Sequence, residues 1–317
     1  MSAVRTCMKI KTNFVRKCQR FKFRDVSKYL IIRNSQIKSL MEALFAGLNI
    51  KEDEKDDQVV REKQSIREKV WNKLEEKQAV RPYPPSCFGK IPNFRGNNFA
   101  SDKVTNLREF RRAKVIKVNP SLAQMDLRHE ILKANKILVV PSPALAPYDE
   151  NQQGANDTVF CYMLDGSRLT NKEKKYAMGK KGSIALGKPL LDDWSKCPKI
   201  DLVVVGSVAV TLSGRRLGKG HGFAELEWGI LYELGVVSES TIVITTIHEH
   251  QIVYDEDFGE HLQEAHDLPV DIIVTPRRIL NVRPKLRKPT CGIIWDKISD
   301  ERLKSIAILQ KLKKAKK

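Results

Sequence analysis

The 317-residue sequence contains no C-x-x-C pair: Cys7, Cys18, Cys87, Cys161, Cys197 and Cys291 are spread over the whole chain. Such spacing argues against a disulfide scaffold and a structural zinc site, and it fits a reducing compartment. Long hydrophobic runs are also missing. The longest nearly uncharged apolar stretch, residues 202–212, has 11 residues, where a membrane helix needs about 20. No membrane partner is expected, and neither a secretory apolar segment nor an internal repeat is visible. Acidic residues are absent from the first 24 positions, which hold eight Lys/Arg interleaved with Phe14, Val15, Phe21 and Phe23.

What the chain does contain is a globular mixture of 41% hydrophobic and 30% charged residues, enough to bury a core. Its formal charge is +19, of which +9 lies in residues 1–50, where only Asp25 and Glu42 oppose 11 Lys/Arg. A basic, acid-poor start reads as a mitochondrial transit peptide or as an unstructured extension of a cytoplasmic protein. Positive ends attract polyanions through a sequence-independent term, so RNA is a candidate partner for residues 1–50 and 311–317. The charge run at 51–57 reads as the boundary of the folded part. The expected organisation is therefore a basic extension (1–57), an α/β domain (58–310) and a basic tail (311–317).

Within the domain, Ile66, Val70 and Leu74 recur at helical spacing until Pro82, Pro84 and Pro85 stop the pattern. Residues 86–103 read as loop. Residues 114–118 and 137–140 read as strands around a helix at 120–135, and 146–200 as a long irregular loop carrying short elements. Residues 201–210 form the strongest strand, followed by a Gly-rich turn and a helix near 225–234. Further β-branched runs lie at 241–247 and 271–275, and a last amphipathic helix at 299–313. Short apolar strands separated by helices predict a three-layer mixed or parallel sheet with helices on both faces.

The chemistry-bearing stretch is the turn Gly214-Arg-Arg-Leu-Gly218-Lys-Gly220-His-Gly222-Phe-Ala-Glu225. Alternate glycines bare backbone N–H groups and allow positive φ, which suits a phosphate, and the following helix N-terminus adds partial positive charge. Arg216 and Lys219 could neutralise phosphate oxygens, and Glu225 could meet a metal ion. The spacing matches neither the dinucleotide fingerprint nor the P-loop, so connector and ligand site both remain open. His221 reads as a loop residue or a ligand contact. His248-Glu-His250 lacks a third ligand at metal-site spacing. Ser213 and Cys291 have no base nearby in sequence, and Lys63 and Arg67 read as solvated helix charges.

Arg216-Leu-Gly-Lys-Gly-His-Gly-Phe223 resembles the R-L-G-x-G-x-G-Y-Y-D signature of the 5-formyltetrahydrofolate cyclo-ligase family. Lys63-Gln-Ser-Ile-Arg67 resembles that family's K-x-x-L-R on its first helix, and Pro269-Val-Asp271 its V-D segment. The runs Lys90-Ile-Pro-Asn-Phe-Arg-Gly96, Asp201-Leu-Val-Val-Val-Gly-Ser-Val-Ala-Val210 and Val274-Thr-Pro-Arg277 are closer still to a eukaryotic branch that carries an additional C-terminal RNA-recognition domain. No R-G-F-x-F-V type strand of such a domain occurs here. The resemblance spans residues 62–300 and implies a three-layer α/β fold, with ATP and Mg2+ as cofactors and a reduced folate as substrate. In the implied reaction the formyl oxygen of 5-formyltetrahydrofolate attacks the ATP γ-phosphate, and the neighbouring nitrogen closes the ring to 5,10-methenyltetrahydrofolate. Carried across, Lys63, Arg67, Arg216 and Lys219 would act on the phosphates. Gly218, Gly220, His221, Gly222, Phe223 and Ala224 would form the nucleotide and folate loop, and Glu225 and Asp271 would hold the metal.

The chain departs from that pattern in three respects. Ala224 replaces a tyrosine and Glu225 an aspartate, and residues 91–103, where a substrate-binding glutamate is expected, offer only Asp102. The altered loop end, together with the charged tails, motivates the alternative of a catalytically lapsed relative serving as an RNA- or protein-binding module.

Overall fold

In a computed structural model, which describes residues 50–142, 160–190 and 197–315, the β-branched runs assemble into a sheet covered on both faces. In chain order the strands are β1 (Val115–Val118), β2 (Ile137–Pro141), β3 (Cys161–Asp165), β4 (Lys188–Leu190), β5 (Leu202–Val205), β6 (Ala209–Thr211), β7 (Arg216–Leu217), β8 (Ile242–Thr246), β9 (Ile252–Val253), β10 (Ile272–Val274) and β11 (Ile279–Asn281). Five of them run parallel in the order β2-β1-β5-β8-β10. β3 and β4 extend the β2 edge antiparallel, and β11 extends the β10 edge. A smaller sheet, β7-β6-β9, stands separately.

The helices are α1 (Ile50–Glu76), α2 (Asn97–Thr105), α3 (Arg108–Arg112), α4 (Met125–Lys133), α5 (Asn171–Ala177), α6 (Lys180–Leu186), α7 (Phe223–Glu233), α8 (Asp300–Ser305) and α9 (Ala307–Ala315). The chain divides into two compact units, Met1–Gln58 and Val59–Lys317; the strands and α2 to α9 belong to the second. The strand period of two decides which helix covers which face. Val115, Val203, Val243 and Ile273 pack with Trp228, Ile230 and Leu231 of α7 and Leu309 of α9. Ile116, Val118, Leu202 and Val204 pack with Leu127, Ile131 and Leu132 of α4 and with Val104 of α2. Every residue of β1 and of β5 is buried; β5 accordingly reads as a continuously apolar run, while β1 includes the buried Lys117. A third cluster joins Ile66, Val70, Trp71 and Leu74 of α1 to Val208, Ala209 and Leu217 of the small sheet.

Several expectations change. The run 201–210 is not one strand: β5 ends at Val205, and the chain crosses through Gly206 into β6 of the other sheet. A Cβ at Gly206 would come within 2.9 Å of Ile91, so only glycine lets this backbone lie against its neighbour. Residues 86–103, read as loop, contain the first seven residues of α2. The short elements expected within 146–200 are, among the described residues, β3, α5, α6 and β4, whose three- to seven-residue lengths are too short for periodicity to register. The helix expected over 299–313 breaks at Ile306, whose extended backbone (φ −112°, ψ 100°) redirects the chain so that Ile306, Ile308 and Leu309 are buried. The expected tail begins inside α9, which runs to Ala315. The basic segment 1–49 and residues 316–317, on which the RNA and transit-peptide expectations rest, lie outside the described residues.

Among the described residues no helix is long and apolar enough to cross a membrane. Leu309 is fully buried, so α9 is part of the core. Leu309→Ala is expected to cost about 2–5 kcal/mol of folding free energy, measurable as a lower urea midpoint with an unchanged slope.

Candidate functional site

Parallel sheets form a crevice at the carboxyl ends of their strands where successive connections depart in opposite directions. Here that point lies between β1 and β5: the chain leaves β1 for β2 on one side and later returns to β5 on the other. A cavity of about 590 Å3 opens there, lined by Asn119 and Ser121 after β1, Ser142 after β2 and Gly206 after β5. Its volume falls within the range that takes a drug-sized ligand. The glycine turn and the first turn of α7 form one wall, and Lys63 and Arg67 of α1 reach it from the small-sheet side. Eleven of the twelve candidate residues meet at this cavity: Lys63, Arg67, Arg216, Lys219 and the stretch from Gly218 through Glu225.

The loop keeps its shape through its glycines and through Arg216. Gly220 and Gly222 have φ of +98° and +64°, conformations that side chains with a Cβ adopt only under strain. A Cβ at Gly220 would also press to 3.4 Å from the Arg67 guanidinium carbon. Gly222 is the N-cap of α7 and supplies no side-chain cap; the Glu225 amide is engaged by its own carboxylate, which leaves the Phe223 and Ala224 amides as the uncapped opening of that helix beside the cavity. Arg216, with a fully buried side chain, donates from Nε to Leu268 O (3.2 Å) and from Nη1 to Gly206 O (2.7 Å), and its Nη2 bonds the Glu225 carboxylate. One guanidinium thereby ties the end of β5, the approach to β10 and the first turn of α7 together.

The cations sort into two groups. Lys63 and Arg216 are satisfied: the Lys63 ammonium lies 2.8 Å from Glu264 Oε2 and 2.6 Å from Asp267 Oδ2. Both Lys63 and Arg67 are buried, against the reading of solvated helix charges, because α1 turns their face onto the cavity. Arg67 bonds only uncharged partners, donating from Nε to Gly218 O (2.8 Å) and from Nη1 to Gln64 Oε1 (3.4 Å). Lys219 lies 5.6 Å from the Phe223 ring centroid. Among the described residues, neither Arg67 nor Lys219 has a carboxylate within ion-pair distance. Burial lowers the pKa of each, partly offset by Glu225 for Arg67 and by Glu227 for Lys219. His221 is pushed below the usual histidine range, first by burial and then by the positive field of Lys219, Arg302 and Arg67.

Asp271 does not reach the cavity. It precedes β10, at the amino end of the sheet and away from the carboxyl-end crevice. There it accepts a hydrogen bond from Val243 N (2.8 Å) and pairs with Lys288 (2.9 Å). Burial alone would raise the Glu225 carboxyl, but the Arg216 guanidinium beside it holds it below the ordinary glutamate value. One carboxylate is thus bound to a guanidinium and the other lies at the opposite end of the sheet, so these two do not form a joint magnesium seat.

Several cavity residues escaped the sequence reading. Glu227, buried on α7, accepts at Oε2 from Lys117 Nζ and from Asn119 Nδ2 (2.8 Å). Lys117 alternates inward with Val115, and nothing in its strand pattern announces a buried charge pair. Glu264 and Asp267 stand just before the Pro-Val-Asp segment without a motif of their own. Arg302 is one charge among many in an amphipathic stretch. His248 and His250 stay outside the cavity, where His248 Nδ1 accepts from the His250 amide (3.2 Å) and closes a short turn.

The model of the 5-formyltetrahydrofolate cyclo-ligase family matches residues 59–276, and the chain belongs to that family. It is 38% identical over 252 residues to the methenyltetrahydrofolate synthase domain-containing protein of Danio rerio and 36% identical over 251 residues to that of Homo sapiens. Each alignment covers 79% of this chain and 61% of the relative, so the chain spans about three fifths of the length of the curated relatives it matches. Among solved structures, the 5,10-methenyltetrahydrofolate synthetase of Aquifex aeolicus aligns with a TM-score of 0.42 and 19% identity, over 71% of this chain and 94% of that one.

Burial alone would raise the Glu264 carboxyl, but hydrogen bonds from Lys297 and Lys63 outweigh it and hold the pKa at about 2. A carboxylate depressed on folding contributes stability above its unfolded pKa and loses it as pH falls toward the folded value. Glu264→Gln is therefore expected to lower the melting temperature at pH 7 by roughly 2–5 °C, and the deficit should vanish near pH 2.

Proposed function

We propose that the cavity binds ATP and a reduced folate, and that the chain closes the ring of 5-formyltetrahydrofolate at the expense of ATP. The observation that supports this reading most strongly is the meeting of two charge-unpaired cations, Arg67 and Lys219, with the uncapped amides of α7 in one cleft. Four negative charges on a triphosphate would complete what the protein side leaves open. In this reading the loop amides orient the γ-phosphate, and Arg67 and Lys219 neutralise charge that builds on its oxygens during transfer to the formyl oxygen. That transfer breaks the bond between the γ-phosphorus and ADP, which departs; the neighbouring nitrogen then captures the activated carbon, and phosphate leaves with the former formyl oxygen. Such a reaction needs alignment and charge neutralisation rather than a protein nucleophile. Glu225, bound to Arg216, and Asp271, at the other end of the sheet, do not fit a shared magnesium ion.

A second reading, binding without turnover, is favoured by Ala224 in the place of a tyrosine and by the engagement of Glu225 with Arg216. Absorbance of the methenyl product separates the two. Turnover with ATP supports the cyclo-ligase, and ATP binding without product supports the lapsed relative. In an active protein, Arg67→Ala should lower kcat/KM about ten- to hundredfold, the loss expected for a charged hydrogen bond. Without activity, the same variant should weaken ATP binding by a similar factor.

The His221 ring reports the same site. In the free protein NMR titration should place its pKa below the ordinary value near 6.5. Saturating ATP should move it up, because the phosphates cancel the positive field that depresses it. An unchanged value would place the phosphates elsewhere.

A further inference from the structure

The family model ends at residue 276, yet one wall of the cavity comes from beyond it. Arg302, on α8, lines the cavity. Its Nη2 donates to His221 O, and its guanidinium carbon lies 5.3 Å from the Phe223 ring centroid. A Cβ built at Gly222 would stand 3.5 Å from its Nη1. The guanidinium therefore stands at the loop position where α7 begins. Burial lowers its pKa, partly offset by the charge of Glu225.

Three features set Arg302 apart from a solvated helix charge. Its segment is anchored: Ser299 caps α8 by accepting from the Arg302 amide (3.2 Å), and Ile306, Ile308 and Leu309 are buried immediately afterwards. Two lysines of the C-terminal region have acidic partners, Lys297 with Glu264 (2.7 Å) and Lys288 with Asp271 (2.9 Å), whereas Arg302 has none within ion-pair distance among the described residues. A guanidinium carries five N–H donors in a fixed fork. Arg302 uses one of them on a loop carbonyl, which costs the fork none of its charge.

Resting on the nucleotide reading above, we infer that Arg302 is a third phosphate-binding cation, delivered to the glycine loop by the C-terminal helices. It stands with Arg67 and Lys219 around the uncapped end of α7, so a phosphate seated on the loop amides would meet positive charge from three separate segments of the chain. Docking of α8 and α9 then becomes a condition for full affinity toward a polyphosphate.

The test is calorimetric titration of the full chain with inorganic tripolyphosphate and, separately, with ATP, at low and moderate salt. Arg302→Gln removes the charge and, being two bonds shorter, also the Nη2 bond to the His221 carbonyl; Arg302→Lys keeps the charge and loses the fork. The expected result is about a tenfold loss of affinity for both ligands in Arg302→Gln, with a shallower salt dependence. Arg302→Lys should stay within roughly threefold of the parent. Melting temperatures and 5-formyltetrahydrofolate affinity should be preserved in both. Parent-like binding by a folded Arg302→Gln overturns the assignment of Arg302 alone. Equal losses in both variants would show a positioning role for the fork, and also overturn it. Should the parent chain bind neither tripolyphosphate nor ATP, the nucleotide reading itself falls and this inference with it.

Discussion

Arg216 is the contact on which the site depends. Its buried guanidinium holds a carbonyl after β5, a carbonyl before β10 and a carboxylate on the first turn of α7. Burying a charge is costly unless it is paired and hydrogen-bonded, and breaking such a pair by removing one partner costs several kcal/mol. The network fixes the glycine turn relative to the sheet edge, so that the amides beside Gly222 face the crevice between β1 and β5. It also decides what Glu225 does. A carboxylate that neutralises a buried guanidinium is a structural counter-ion first.

With Arg216 and Lys63 satisfied by acids, Arg67, Lys219 and Arg302 carry unpaired positive charge around the glycine loop, and Lys90 adds another elsewhere on the lining. That division separates support from function. Paired cations hold segments together: Lys63 joins α1 to the stretch before β10 through Glu264 and Asp267. Cations bonded only to neutral groups remain free to compensate a ligand. The lowered pKa of His221 follows from that same positive field and burial, so geometry and electrostatics describe one cluster.

Much of the fold was legible because buried parallel strands read as uninterrupted β-branched runs, as in residues 202–205 and 272–274. Glycine spacing and flanking charges likewise pointed to the loop, and the family resemblance brought in Lys63 and Arg67, whose helical spacing alone read as solvent-facing. What could not be read depended on contacts between distant segments. Gly206 ends a strand in mid-run because Ile91 packs against it. Asp271 entered the candidate set through the family's V-D segment alone, but it precedes β10 and so stands at the amino end of the parallel strands, away from the crevice. Glu227 and Arg302 reach the cavity through packing of α7, α8 and α9, for which no short motif exists. Ile306 breaks a helix whose apolar period continues through it, since burying three neighbouring side chains outweighs two hydrogen-bonded turns of regular helix.

The most direct test of the central claim is a crystal structure of the full chain with a non-hydrolysable ATP analogue. The account predicts β- and γ-phosphate oxygens within hydrogen-bonding distance of the amides between Gly220 and Ala224, flanked by the side chains of Arg67 and Lys219, with Arg216 still bonded to Glu225. Phosphate density away from this turn, or an Arg216 that releases Glu225 to grip the triphosphate itself, would contradict it.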